Sequence, residues 1–187
     1  QPDVLVLTKP LGVGLTLNAL RMDDCSKEMQ ERVFKSMTTL NKYACDVLKK
    51  YDVHALTDVT GFGLLVHLNE MLDEKNSAVI YKDSIPYFDD CQKYVEEFYL
   101  SGAAQTNRNS VEGKIYFDCD FFTEEILFDP QTSGGLLASV AKEDLEKLEK
   151  DFKENNLELY EIGSNDETYT ISKINEIVKS KKAFQQN

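Results

Sequence analysis

Hydrophobic positions along this chain change their period from segment to segment, and each change marks an element. Val4-Leu5-Val6-Leu7-Thr8 is a nearly continuous apolar run, the pattern of a buried strand. Pro10-Leu11-Gly12-Val13-Gly14 breaks it, and Leu15–Met22 reads as a short helix. Between Met29 and Lys49 the residues Val33, Met37, Leu40, Ala44, Val47 and Leu48 recur at helical spacing, which predicts one long helix. Val53–Leu56 is a second strand. A glycine turn follows it, then a helix with Leu64, Leu65, Leu68 and Leu72 on the buried face.

Ala78–Tyr81 is a short strand, and Pro86 opens a helix to about Phe98, since proline suits a first helical turn. Ser101–Lys114 has no hydrophobic period and reads as the one long loop, a feature often functional in compact domains. Phe121–Phe128 is a short helix stopped by Asp129-Pro130, because the residue before proline is pushed out of the α region. Leu136–Val140 is a strand, Lys142–Asn155 a charged helix with a solvated face, Leu157–Ile162 a strand and Tyr169–Ile171 a candidate last one. The sum is a single α+β domain over residues 1–178, a mixed β-sheet flanked by helices as an α/β sandwich. Residues 179–187 form a polar tail expected to fray.

Composition narrows the partners. A chain of 187 residues suffices for one domain that buries roughly 70% of its unfolded surface. No apolar run approaches the ~20 residues needed to span a bilayer. The net charge of −12, from 21 Lys plus Arg against 33 Asp plus Glu, disfavours nucleic acid and anionic membrane as partners. It also repels ATP at long range, so a nucleotide would need Mg²⁺ or local cations. Cys25, Cys45, Cys91 and Cys119 are scattered, with no Cys-x-x-Cys pair, which argues against zinc and for reduced thiols in a cytoplasmic protein. A first residue Gln1 just ahead of a core strand suggests a piece of a longer protein cut at a domain boundary.

Two turns carry the candidate chemistry, Thr57-Asp58-Val59-Thr60-Gly61-Phe62-Gly63-Leu64-Leu65 and Asp129-Pro130-Gln131-Thr132-Ser133-Gly134-Gly135-Leu136-Leu137. Both contain Thr-x-x-Gly-Leu-Leu after an acidic residue. Asp58 is placed as a strand-end carboxylate for Mg²⁺, with the amides of Thr60–Gly63 facing a phosphate at a helix start. The competing reading makes Asp58 or Thr60 an N-cap. Gly134-Gly135 serve either a ligand or close packing against the other turn. Arg108 and Lys9 are candidate phosphate contacts, weighed against a self-capped loop and a solvated strand end. His67 and His54 read as structural, and the cysteines as small hydrophobes.

Taken in order, Val4–Gly12, Leu56–Leu65, Thr106 with Arg108-Asn109, and Asp129–Leu137 resemble the C-terminal half of the selenophosphate synthetases, or selenide, water dikinases. The resemblance spans nearly the whole chain. It implies the C-terminal α/β sandwich of the aminoimidazole-ribonucleotide-synthetase superfamily. It also implies an enzyme that converts ATP, selenide and water to selenophosphate, AMP and phosphate, with Mg²⁺ as cofactor. ATP then lies between the chain's own N-terminal domain and this half, and the full-length protein is a homodimer. The N-terminal domain carries the Cys or selenocysteine nucleophile, a Lys and most metal-binding aspartates, so no catalytic residue is assigned here and the fragment alone is expected to be inactive. Asp58 is the implied metal ligand. Lys9, Thr57, Thr60, Gly61, Gly63, Thr106, Arg108, Asn109, Gln131, Thr132, Ser133, Gly134 and Gly135 are the implied nucleotide and phosphate contacts. The chain departs from the family pattern at Val66 and at Ala104-Gln105, where glycines are usual. The alternatives are an ATP-dependent relative acting on a purine precursor or another phosphorylatable substrate, and a non-catalytic partner-binding module.

Overall fold

The apolar run near the start of the chain becomes the middle of a sheet, apolar on both faces because helices cover both. The computed structural model describes residues 3–72 and 76–166. Strands β1 (Asp3–Leu7), β2 (Val53–Asp58), β3 (Ser77–Ile80), β4 (Leu136–Ala141) and β5 (Tyr160–Asp166) join in the order β2-β4-β1-β5-β3. Successive side chains on a strand point to opposite faces. Leu5, Leu7, Leu137 and Ile162 therefore join one core, while Val4, Val6, Leu136, Ala138 and Val140 join another. All six residues of β4 are buried.

The larger core is completed by α1 (Val13–Arg21), α2 (Lys27–Thr38), α4 (Gly63–Met71), α5 (Cys91–Glu96), α6 (Gly102–Ser110) and α7 (Phe121–Phe128). The smaller core lies under α3 (Asn41–Leu48) and α8 (Leu145–Glu154). The expected α+β sandwich is thus the observed architecture. Among the described residues its four ladders are all antiparallel, where a mixed sheet was expected. β1 and β2 run the same way, but β4 sits between them and keeps them from pairing.

Four element assignments change. The single helix expected over Met29–Lys49 is two, because Thr39 and Leu40 are extended. α2 gives Met29 and Val33 to the larger core, and α3 gives Ala44, Val47 and Leu48 to the smaller one. An unbroken apolar stripe hides the point where the chain crosses from one side of the sheet to the other. The expected loop 101–114 is largely α6, capped at its start by the Ser101 hydroxyl accepting from the Ala103 amide. Its buried positions, Ala104, Asn107 and Val111, have helical spacing, but an asparagine in the middle breaks the apolar signal. The helix expected from Pro86 begins only at Cys91. The Pro86 carbonyl instead accepts from the Leu11 amide at 2.9 Å, and Tyr87 bridges Leu11. β5 also starts later than expected, at Tyr160 rather than Leu157, because Leu157 and Leu159 pack into the smaller core. The candidate strand 169–171 and the tail 179–187 lie outside the described residues. No helix among the described residues is long and apolar enough to cross a membrane. All four cysteines are free thiols.

The end of β1, the end of β2 and the start of β4 lie at one end of the sheet, since Leu7 pairs with Leu137 and Asp58 with Leu136. The ladder continues past the strands: Thr8 donates its amide to Leu136 O at 3.1 Å, and Val59 donates to Gly135 O at 2.9 Å. Side-chain atoms are excluded there. A Cβ on Gly134 would overlap the Val59 carbonyl oxygen, and one on Gly135 would come within 2.6 Å of the Lys9 amide nitrogen. We predict that Gly134→Ala lowers the unfolding free energy by about 1–3 kcal/mol through overpacking, read from the urea midpoint. An unchanged midpoint would show that the two turns can part without loss.

Candidate functional site

Three connections converge on that sheet end: the turn from β1 into α1, the turn from β2 into α4, and the turn from α7 into β4. The first helix is capped from far away in sequence. Gly12 adopts φ 105°, which favours glycine, and brings α1 in with no side-chain cap of its own. The Gly14 amide instead donates to Asp129 Oδ2 at 2.9 Å, across 115 residues, and the Val13 amide donates to Gln131 Oε1 at 3.3 Å. The Gln131 side-chain amide donates to Asp129 O at 2.8 Å and Oδ2 at 2.9 Å. Asp129 is 1% exposed, and its Oδ1 has no hydrogen-bond partner. Burial pushes its carboxyl up to about 7, against the downward pull of the Gly14 and Leu15 amides and the Gln131 side chain.

The second turn is pinned by backbone contacts. Gln131 donates its amide to Thr60 O at 3.0 Å, and Gly63 does the same from within the turn. Gly63 has φ 73°, and a Cβ there would lie 2.9 Å from the Phe128 carbonyl, so only glycine lets α4 start this close to the end of α7. Asn107, buried in α6, donates to Gly61 O at 2.9 Å and Phe128 O at 3.2 Å. The Thr60 hydroxyl and His67 Nε2 are 2.9 Å apart, and His67 Nδ1 lies 3.0 Å from Glu70 Oε2.

Buried Lys9 is the clamp of the third turn. Its ammonium donates to Thr39 O at 2.8 Å and Ser133 O at 3.0 Å, while burial lowers its pKa. Asn41 donates to Gly134 O at 2.9 Å. Ser133 sits at φ 53°.

The structure therefore brings together Lys9, Thr57, Asp58, Thr60, Gly61, Gly63, Gln131, Thr132, Ser133, Gly134 and Gly135. Of these, Asp58, Gly61, Thr132 and Ser133 are exposed and Thr57 and Thr60 half-buried, whereas Lys9, Gly63, Gln131, Gly134 and Gly135 are buried behind them. The α6 residues are engaged elsewhere. Arg108 pairs with Glu125 at 2.7 Å and Glu124 at 3.7 Å and lies 4.9 Å over the Phe128 ring. Thr106 donates to Gly102 O, and Asn109 Oδ1 accepts from Gln105. Sequence reasoning passed over Asn41 and the Asp129 cap, and it placed Asn107 with Thr106, Arg108 and Asn109 in a loop rather than on a helix. Only Asn107 left a trace, in its spacing with Ala104 and Val111. The two departures from the family pattern are accommodated, since Val66 and Ala104 both sit in the larger core.

Among the described residues no three His, Cys, Asp or Glu side chains gather into a metal cluster. Asp58 offers one exposed carboxylate at this sheet end, and Mg²⁺ is commonly held by one or two carboxylates with phosphates and waters completing its shell.

Because the folded pKa of Asp129 is raised, its protonated form favours folding. That contribution is complete below about pH 4 and is lost as pH rises through about 7. We predict that Asp129→Asn, which cannot ionise, gains stability relative to the native chain by up to about 1.4 kcal/mol per pH unit across that window. Chemical denaturation at a series of pH values checks this, and parallel curves would rule it out.

Comparison with known proteins places this geometry. Residues 2–171 match the AIR synthase related protein, C-terminal domain, family. The chain is 45% identical over 166 residues to a selenide, water dikinase of Agathobacter rectalis, covering 87% of this chain and 48% of that one. It is 45% identical over 142 residues to a selenide, water dikinase of Desulfitobacterium hafniense, covering 75% and 42%. The chain thus spans about half the length of these relatives. Among solved structures, thiamine monophosphate kinase from Aquifex aeolicus superposes with a TM-score of 0.58 at 18% identity, over 88% of this chain and 47% of that one. Hydrogenase maturation protein HypE in complex with ATP superposes with a TM-score of 0.52 at 17% identity, over 87% and 42%. At such identity these two establish the fold alone. With nearly its whole length matched, the chain belongs to the family of AIR synthase related C-terminal domains.

Proposed function

We propose that this domain is the C-terminal half of an ATP-dependent selenide, water dikinase and forms one wall of its MgATP site. The observation that carries this reading is the layered sheet end. Exposed Asp58, Thr132 and Ser133 stand on a buried backing of Lys9, Gln131, Gly134 and Gly135. Such a backing fixes exposed donors in place, and phosphoryl transfer rests mainly on positioning and charge stabilisation. The similarity to dikinases along most of the chain supports the reading. So does HypE in complex with ATP, a protein that shares this fold.

Asp58 is the residue to hold Mg²⁺. When bound, that ion would offset phosphate charge that a chain of net charge −12 otherwise repels. Thr132 and Ser133 offer hydroxyls to the nucleotide, and Lys9 holds the Ser133 carbonyl so that the residue stays fixed at the exposed rim. Arg108, paired with Glu125, acts on phosphate only by exchanging that partner. The nucleophile, the remaining metal ligands, the homodimer contacts and the cytoplasmic setting belong to the whole protein with its N-terminal domain.

In the full-length protein, Asp58→Asn is expected to lower selenide-dependent formation of AMP from ATP by about 100-fold or more. Chromatography of the nucleotide products checks this. Native turnover that needs no selenide and yields ADP would instead assign a different substrate within the same superfamily. Undiminished AMP formation by Asp58→Asn would remove Asp58 from the site.

A further inference from the structure

The hydrogen-bonded series Thr60, His67 and Glu70 has no part in the reading above. Glu70 lies three residues beyond His67 on α4, so the two side chains share a face, and Thr60 sits in the turn leading into that helix. The imidazole is 7% exposed and packs at 5.8 Å against the Phe62 ring, so its plane is held from several sides. Glu70, by contrast, is well exposed.

With Glu70 ionised and the imidazole neutral, the hydrogen bonds run in one direction. An ionised carboxylate only accepts, so His67 donates from Nδ1 to Glu70. In the neutral ring Nε2 is then an acceptor, and the hydrogen in the 2.9 Å contact comes from Thr60. With its one proton committed to histidine, the Thr60 oxygen has only lone pairs left for anything approaching the turn. A free threonine would rotate its hydroxyl and donate to a phosphate. Tied to His67, this one is suited to a cation or to a water that a cation polarises. Asp58, the exposed carboxylate, lies two residues earlier on the same turn.

We propose that His67, oriented by Glu70, is a positioning residue that holds the Thr60 hydroxyl as an oxygen acceptor for a hydrated divalent cation at Asp58. This rests on the Asp58 assignment above and adds a second oxygen to it. His67 itself touches neither cation nor nucleotide. Its effect is to remove one of the two hydrogen-bonding roles of the Thr60 hydroxyl, which makes the turn selective for the metal side of a metal–nucleotide complex.

The test uses the full-length protein and Mn²⁺ as a spectroscopically visible divalent ion. Binding is followed by electron paramagnetic resonance with ATP present, and thermal unfolding is measured on each variant. Thr60→Val, close in shape at a half-buried position, and His67→Leu are each expected to weaken Mn²⁺ binding about tenfold, as loss of an outer-shell partner does. The double variant should be no weaker than either single one, because both changes remove the same link. Thr60→Ser, and His67→Gln with its accepting amide oxygen, should restore most of the affinity. Asp58→Asn should weaken it at least as much as either single change. A His67→Leu protein that melts earlier but binds Mn²⁺ normally would overturn the inference, as would fully additive losses in the double variant. Should His67→Leu not fold, Thr60→Val against Thr60→Ser still decides, since equal Mn²⁺ affinity in those two overturns the role of the hydroxyl. If only Asp58→Asn weakens binding, the relay falls and the metal site stands. If Asp58→Asn binds normally, the site itself falls.

Discussion

The closeness of two backbone segments is the constraint on which the rest depends. Val59-Thr60 and Gln131–Gly135 lie within hydrogen-bonding distance, Val59 donating to Gly135 and Gln131 to Thr60. That spacing leaves no volume for a side chain on Gly134, while Gly135 is pressed from the other side by Thr8 and Lys9. It fixes where α4 begins, where β4 begins and how far Asp58 stands from Thr132 and Ser133 along the rim. Gly63 against Phe128, and Asn107 bridging Gly61 and Phe128, extend the same tight packing to α6 and α7. Gly134, Gly135 and Gly63 are thus used for close packing against Val59, Lys9 and Phe128. The surface left for a ligand is the hydroxyl and carboxylate rim above them.

The buried charges follow one logic. Lys9 and Asp129 have no counter-ion among their hydrogen-bond partners. Lys9 binds two carbonyl oxygens, one just after α2 and one in the turn before β4. Asp129 binds amides at the start of α1, where the helix dipole favours a negative partner. Each is therefore perturbed chiefly by desolvation, Lys9 downward and Asp129 upward. A long-range cap and a long-range clamp do what a disulfide does in other small domains: they tie residues 9–14 to residues 129–133.

Much of the fold and part of the site were legible in the sequence. The central strands β1 and β4 announced themselves because, covered on both faces, they carry apolar runs that no helical period mimics, whereas edge strand β2 exposes His54, Leu56 and Asp58. The junction at Thr39-Leu40 did not, since both flanking helices are amphipathic in continuous phase while packing on different cores. α6 was missed because it buries an asparagine where an apolar residue would have signalled a helix. At the candidate site, motif spacing picked out two turns that the fold brings side by side. It could not separate the exposed members from the buried ones, because burial of Gln131 or Lys9 depends on partners more than a hundred residues distant. The same limit hid Asn41 and the capping role of Asp129.

The strand order β2-β4-β1-β5-β3 also governs how the chain can assemble. β1 is complete by Leu7, yet both of its neighbours come from the far end, β4 from Leu136 onward and β5 from Tyr160 onward. Among the described residues, none of the four ladders joins strands that are consecutive in sequence. A growing chain must therefore carry β1 without its neighbours in this sheet until nearly the whole domain has been synthesised, which places closure of the sheet among slow, non-local folding events. Helices α1 to α7, made in that interval, are what can shelter the two apolar faces of β1 while its partners are still to come.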